Sequence, residues 1–171
     1  MRLVCSYCHK VIRHDAKSRA CDVSHGMCLT CADHFDRLWK GMSLSEYLDT
    51  LPEPVLVVTG DARVVAVNQQ MAALSGRGRN RLHGLPAGEA LACVHSRLPK
   101  GCGRTVHCRE CTIRNGVLRV HETGKPLRHA PAYLRTKEGR MELRISVRKE
   151  NGLVKVVIED MKEAAQKARR S

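Results

Sequence analysis

Eight of the nine cysteines in this chain fall into two sets of four. The first is Cys5-x2-Cys8 followed by Cys28-x2-Cys31, and the second is Cys93, Cys102 and the pair Cys108-x2-Cys111. Thiolates two residues apart can converge on one ion, because a tight turn brings both sulfurs within bonding reach of a tetrahedral metal. The chemistry to expect is therefore soft-metal binding, with Cys5, Cys8, Cys28 and Cys31 closing a structural zinc site. Cys5-x2-Cys8-His9 also fits the c-type haem attachment pattern, but that chemistry needs export and would leave Cys28 and Cys31 unused.

The second set, Cys93, Cys102, Cys108 and Cys111, admits either zinc or an iron–sulfur cluster, since four thiolates suit both. Its spacing, Cys-x8-Cys-x5-Cys-x2-Cys, matches neither common ferredoxin pattern. Gly101 and Gly103 flank Cys102 and let the backbone turn sharply enough to aim its sulfur. Cys111 precedes a helix whose dipole favours a thiolate, and Lys100, Arg104, Arg109 and Arg114 add positive charge. His95 and His107 flank this set as alternative ligands. In the first set His25 is read as a hydrogen-bond partner of a ligand sulfur, and Cys21 as a spare thiol.

Catalysis has little to stand on. The chain shows no Ser/His/Asp constellation and no glycine-rich phosphate loop. A reactive cysteine beside His107 would be consumed by metal binding at Cys108. The reading is non-enzymatic.

The elements that hold these residues follow from composition and pattern. The chain has 171 residues, 43% of them hydrophobic but only 3% aromatic, so its core must be aliphatic. Residues 1–41 carry little apolar periodicity and need a metal to fold, with a short helix expected over 31–40 carrying Phe35, Leu38 and Trp39. Ser43 and Glu46 form a capping-box pattern ahead of a helix that lines up Leu44, Tyr47, Leu48 and Leu51. Val55–Thr59 and Val64–Val67 read as strands around a Gly60-Asp61 turn. Asn68 opens a short helix closed by Gly76, and another short helix is expected over Ala87–Ala92. Cys111–His121 reads as a longer helix with Ile113, Val117, Leu118 and Val120 packing inward. Three strands follow, roughly Leu127–Arg135, Met141–Lys149 and Leu153–Asp160, with turns at Glu138-Gly139 and Asn151-Gly152. Met141, Leu143, Ile145 and Val147 alternate with Glu142, Arg144, Ser146 and Arg148, giving one buried and one solvated face. The tail from Met161 is basic, a helix or a frayed end.

That order resembles a PAS domain over about Ser43 to Met161. The residues that carry the resemblance are Leu51-Pro52-Glu53-Pro54-Val55-Leu56-Val57-Val58, Gly60-Asp61, Val64 to Asn68, and Gly76. Gly101-Cys102-Gly103-Arg104-Thr105, Cys108-x2-Cys111 and Ile113-Arg114 resemble a cysteine-bearing PAS variety of bacterial signalling proteins. Cys5-Ser-Tyr-Cys8-His-Lys and Ser24-His25-Gly26-Met27-Cys28-Leu-Thr-Cys31 resemble a small cysteine module attached to bacterial sensor kinases and response regulators of two-component systems. The PAS resemblance implies an α+β protein, a five-stranded antiparallel PAS-like sheet with flanking helices, and the cysteine spacing adds a four-cysteine metal module ahead of it. The implied organisation is a zinc-type module at 1–41, a PAS-like domain at 43–161 with its own four-cysteine site, and a basic tail at 162–171.

The implied function is sensing or protein interaction in signal transduction, through a protein partner or a PAS-mediated homodimer. Two rivals stay open. The formal charge is +13, and nine Lys/Arg against two Glu fall between Gly76 and Arg119, which suits a nucleic-acid-binding regulator. A thiol or iron–sulfur redox sensor is the other. No stretch is apolar enough to span a membrane, and no signal peptide precedes Cys5, so a reducing cytoplasm is expected.

Overall fold

The structure, a computed structural model, describes residues 2–14, 23–33 and 43–164. Residues 34–40 of the helix expected over 31–40, with Phe35, Leu38 and Trp39, lie outside the described residues, as do the spare thiol Cys21 and most of the basic tail.

The N-terminal unit is a small three-stranded sheet. Strand β1 (Arg2–Cys5) pairs antiparallel with β2 (Val11–His14) and parallel with β3 (Val23–Gly26). The Cys5–Cys8 turn joins β1 to β2, and residues 29–33 form a helical turn that begins just after Cys28. These strands were not legible in the sequence, because four half-exposed residues show no alternation.

The second unit begins at Ser43. Its hydroxyl accepts from the Glu46 N–H at 3.2 Å while the Glu46 carboxylate accepts from the Ser43 N–H at 2.7 Å. This reciprocal cap starts α1 (Leu44–Asp49). Leu48 is fully buried, packed with Val55, Val57, Leu44, Tyr47 and Leu51 on the outer face of the main sheet.

The main sheet has five antiparallel strands: β4 (Val55–Val58), β5 (Val64–Val67), β6 (Leu127–Thr136), β7 (Gly139–Glu150) and β8 (Leu153–Glu163). Their spatial order is β5-β4-β8-β7-β6. The first strand of the unit thus pairs with the last, with Leu56 opposite Val156. Between the hairpins lie α2 (Gln69–Ser75), α3 (Arg79–Leu82), α4 (Ala87–Ala90), two 3₁₀ turns (Val94–Arg97 and Val106–Glu110) and the long helix α5 (Thr112–Thr123). This is the PAS-like architecture that the resemblance implies.

The core is aliphatic. Leu56, Val58, Met71, Leu82, Val117, Val120, Ile145 and Val154 are all fully or almost fully buried. Helix α5 crosses the sheet on Ile113, Gly116, Val117 and Val120, and Leu118 is only half-buried. Gly116 fits there because a Cβ would come within 3.1 Å of Leu127. Along β7, Leu143, Ile145 and Val147 face the core while Glu142, Arg144 and Arg148 are exposed.

Three details differ from the sequence reading. In the first hairpin the left-handed residue is Ala62 (φ 63°), and Gly60 is needed for another reason. A Cβ on Gly60 would lie 2.6 Å from the His121 ring at the end of α5. The β6–β7 turn is Lys137–Glu138, one residue earlier than the glycine suggests. Strand β8 runs on to Glu163, because Met161, Lys162 and Glu163 still pair with Leu143, Glu142 and Met141.

Asn68 is the only fully buried polar side chain among the described residues. Its carboxamide oxygen accepts from the Val55 N–H (2.9 Å) and the Met71 N–H (3.0 Å). Its amide nitrogen donates to the carbonyls of Glu53 (2.7 Å), Leu48 and Leu51 (both 3.3 Å). Asn68→Ala removes a helix cap worth about 1 kcal/mol and strands several buried backbone groups, for a loss of about 3 kcal/mol in denaturant unfolding. Asn68→Asp keeps the acceptor but turns a carboxylate oxygen toward three carbonyls. It should destabilise comparably at neutral pH, whereas a merely steric role would leave the Asp variant near wild type.

Asp49 gives a pH-dependent counterpart. It accepts from Arg79 Nη2 at 2.6 Å and caps the Gln69 N–H at 2.8 Å, tying α1 to α2 and α3. The Arg79 hydrogen bond, against a smaller opposing effect of burial, holds its carboxyl below the usual carboxylate range. A depressed carboxyl stabilises fully above its unfolded value of about 3.9 and loses that contribution as pH falls through the folded value. Asp49→Asn should therefore lower the unfolding midpoint modestly at neutral pH. The gap to wild type should close in acid below about pH 4, once wild-type Asp49 is protonated as well.

Candidate metal centres

In the first centre Cys5 ends β1, Cys8 follows a tight turn, and Cys28 and Cys31 bracket the helical turn after β3. The four sulfurs lie within 4.8 Å of one another. Cys8 and Cys28 sulfurs are 3.7 Å apart, close to the ~3.8 Å that metal–sulfur bonds of about 2.3 Å impose around a tetrahedral ion. The Cys28 N–H donates to Cys5 Sγ at 3.4 Å. Burial opposes ionisation of Cys5, but N–H groups of Cys8, Cys28 and Tyr7 turned toward its sulfur prevail and bring its pKa to about 6. Burial and hydrogen bonds shared with Cys28, Cys8 and Cys5 push Cys31 up to about 12. Four thiols this close cannot all ionise unless a cation takes the place of the protons. His25 is exposed, and the Cys5 sulfur accepts from the Cys28 backbone N–H instead.

The second set is arranged differently. Cys93 follows α4, Cys102 sits in a loop between Gly101 (φ 71°) and Gly103 (φ 86°), Cys108 lies in the second 3₁₀ turn, and Cys111 caps α5. All four line one cavity of about 330 Å³ between α4, the start of α5 and strand β6. Yet no three of them lie within 4.8 Å of one another, as the first set does.

Polar groups converge on these sulfurs. Cys108 Sγ accepts from the Gly103 N–H at 3.0 Å and is 3.2 Å from the Thr105 hydroxyl. Burial works against its ionisation, but Thr105, the Gly103 N–H and the Arg114 charge outweigh it and lower its pKa. Cys111 Sγ accepts from the Arg114 N–H at 3.5 Å. Its pKa is nonetheless raised, by burial first and then by Cys93 and Cys108, so the thiolate-favouring position is Cys108 and not the helix cap. Burial also raises Cys102, with the Gly88 N–H opposing it. Gly88 must be glycine, since a Cβ there would sit 2.7 Å from Cys102 Sγ.

The flanking histidines stack on each other, rings 18° from parallel and centroids 4.0 Å apart. Burial, then His107 and Arg135, lower the pKa of His95. The far wall carries Tyr133, Arg135 and Arg140, with the Arg140 guanidinium 4.3 Å from the Tyr133 ring centre. These wall residues left no trace in the cysteine pattern, because they come from the exposed face of the β6–β7 hairpin. Gly88 is equally silent inside a short helix, whereas Thr105, three residues before Cys108, shows in the sequence only as the end of the Gly101–Thr105 motif.

Neither protein-family models nor curated proteins match this chain. Solved structures similar to it include the photoactive yellow protein domain of the sensor histidine kinase Ppr from Rhodospirillum centenum (15% identity, 72% of this chain and 98% of that chain, TM-score 0.49). A domain of a sensory box sensor histidine kinase/response regulator from Geobacter sulfurreducens is also similar (17% identity, 75% and 93% covered, TM-score 0.45). So is the PAS domain of the Cronobacter turicensis RpfR quorum-sensing receptor, solved in complex with BDSF (8% identity, 64% and 94% covered, TM-score 0.47). The strand order β5-β4-β8-β7-β6 and the crossing helix α5 make the second unit of this chain a PAS-like fold.

Proposed function

We propose that this chain is a non-enzymatic sensory module of a bacterial, two-component type signalling system, acting in the cytoplasm. In this reading Cys5, Cys8, Cys28 and Cys31 hold a structural zinc, and Cys93, Cys102, Cys108 and Cys111 hold the metal centre that senses. The output is a change in contact with a protein partner or a second copy of the chain. The observation that carries the reading is the convergence of four separated cysteines on one cavity, at the junction of α5 and the sheet. A centre there bears directly on the sheet, since Thr112 Oγ1 accepts the Tyr133 N–H of edge strand β6 at 3.0 Å. No helix of the described residues is long and apolar enough to cross a membrane.

The two centres should separate experimentally. Cys5→Ser should remove one metal, and protection from hydrogen exchange should collapse over 2–33 while residues 55–67 and 127–163 stay protected. A global collapse would show one cooperative unit instead of two. For the sensing role, hydrogen exchange over 93–121 is compared between metal-loaded and chelator-stripped Cys5→Ser protein. Stripping should raise exchange across the start of α5. Unchanged protection there would reduce the second centre to a staple at most and sink the sensing reading.

A further inference from the structure

The two cysteine sets differ in a way that bears on what each can hold. A single tetrahedral ion needs four sulfurs packed as tightly as those of Cys5, Cys8, Cys28 and Cys31, all within 4.8 Å. Cys93, Cys102, Cys108 and Cys111 point into a common cavity without reaching that spacing. In a four-iron cluster each thiolate binds a different corner of an iron–sulfide cube. The sulfurs then stand farther apart, around a volume and not a point. A cavity of about 330 Å³ bordered by four cysteines has that form.

We propose that the second set binds a four-iron, four-sulfide cluster, one cysteine to each iron, while the first set binds a single zinc ion. This rests on the reading of the second set as a metal centre and names what occupies it. The surroundings suit an anionic cluster. The Gly103 N–H and Thr105 hydroxyl are directed at Cys108 Sγ, and the Arg114 N–H at Cys111 Sγ. Such bonds to cluster thiolates are one of the levers by which a protein sets a cluster's potential. Arg114, Arg135 and Arg140 line the same cavity and offset the charge that four thiolates bring. Gly88 serves on the fourth side, where its missing side chain leaves room for Cys102 Sγ.

The test is metal and acid-labile sulfide analysis on full-length protein purified without oxygen, or reconstituted with ferrous iron and sulfide. The proposal expects about four iron, about four sulfide and one zinc per chain, with a brown colour. Cys102→Ala and Cys111→Ser should lose iron and colour yet keep the zinc, which reports that the first centre is still folded. Cys5→Ser should do the reverse. Gly88→Ala should lower iron occupancy with all four cysteines still present, because its methyl displaces Cys102 Sγ. Two zinc per chain and no sulfide, with one zinc lost in Cys102→Ala, would overturn the cluster and leave the metal-sensor reading standing. One zinc per chain and nothing held by the second set would overturn both.

Discussion

The fold of the larger unit depends on one buried carboxamide. Asn68 occupies the point where the end of α1, the proline loop, the start of β4 and the start of α2 all meet, and its side chain bonds a backbone group of each. An asparagine offers two donors and one acceptor oxygen with two lone pairs, and here both ends are used. A hydroxyl could not reach three carbonyls, and a carboxylate could not donate to them. Because β4 is second in the sheet and pairs with β8, an error at its first residue would shift Val55 to Val58 against Val157 to Val154. It would exchange the residues that β4 gives to the two sides of the sheet, Leu56 and Val58 on one and Val55 and Val57 on the other.

That residue also shows what a single sequence reveals. Its helix-capping role was legible, since Asn before a helical run is a known start signal. Its four other hydrogen bonds were not, because they link residues up to twenty positions away and have no periodicity. The sheet was legible for a related reason: alternation along β7 and a valine-rich β4 record burial directly. The turn at Lys137–Glu138 and the extra length of β8 were missed because pairing partners, not side-chain types, decide where a strand ends. Cysteine spacing marked both sets of four but not the difference in their arrangement. Spacing limits which sulfurs can meet; the spread of the second set is fixed by Gly88, Gly101 and Gly103, whose effect appears only in three dimensions.

The two centres also differ in what surrounds them. The first substitutes for a core: Leu29 is 85% exposed, Met27 and Ile12 are about two-fifths exposed, and Cys5 is fully buried. A metal held by these four sulfurs would replace the apolar burial that so short a segment cannot provide. The second lies against a core that is already complete, since Ile113, Leu91 and Leu134 are buried beside it. On the proposed function, emptying the first set should therefore remove a fold, whereas emptying the second leaves a folded sheet with an altered edge. Only the latter is a suitable basis for a reversible signal.

Helix α5 is the element through which that edge acts. Its C-terminal end is fixed twice, by the His121 ring seated on Gly60 and by Lys149 Nζ, which donates to the His121 carbonyl at 2.6 Å. Its N-terminal end is fixed by Cys111 and by the Thr112 bond to Tyr133. The strand bonded to that end is β6, whose outer edge has no neighbour in the sheet among the described residues. A free strand edge is where a second chain can add. The cysteine cavity, the start of α5 and the exposed edge of β6 therefore form one continuous mechanical path. The N-terminal centre reaches the same sheet from the other end: the Tyr7 carbonyl, inside the Cys5–Cys8 turn, lies so close to Gly152 at the β7–β8 turn that a Cβ there would sit 2.8 Å away. Both cysteine centres thus bear on the β6–β7–β8 meander, one at its outer edge and one at its turn.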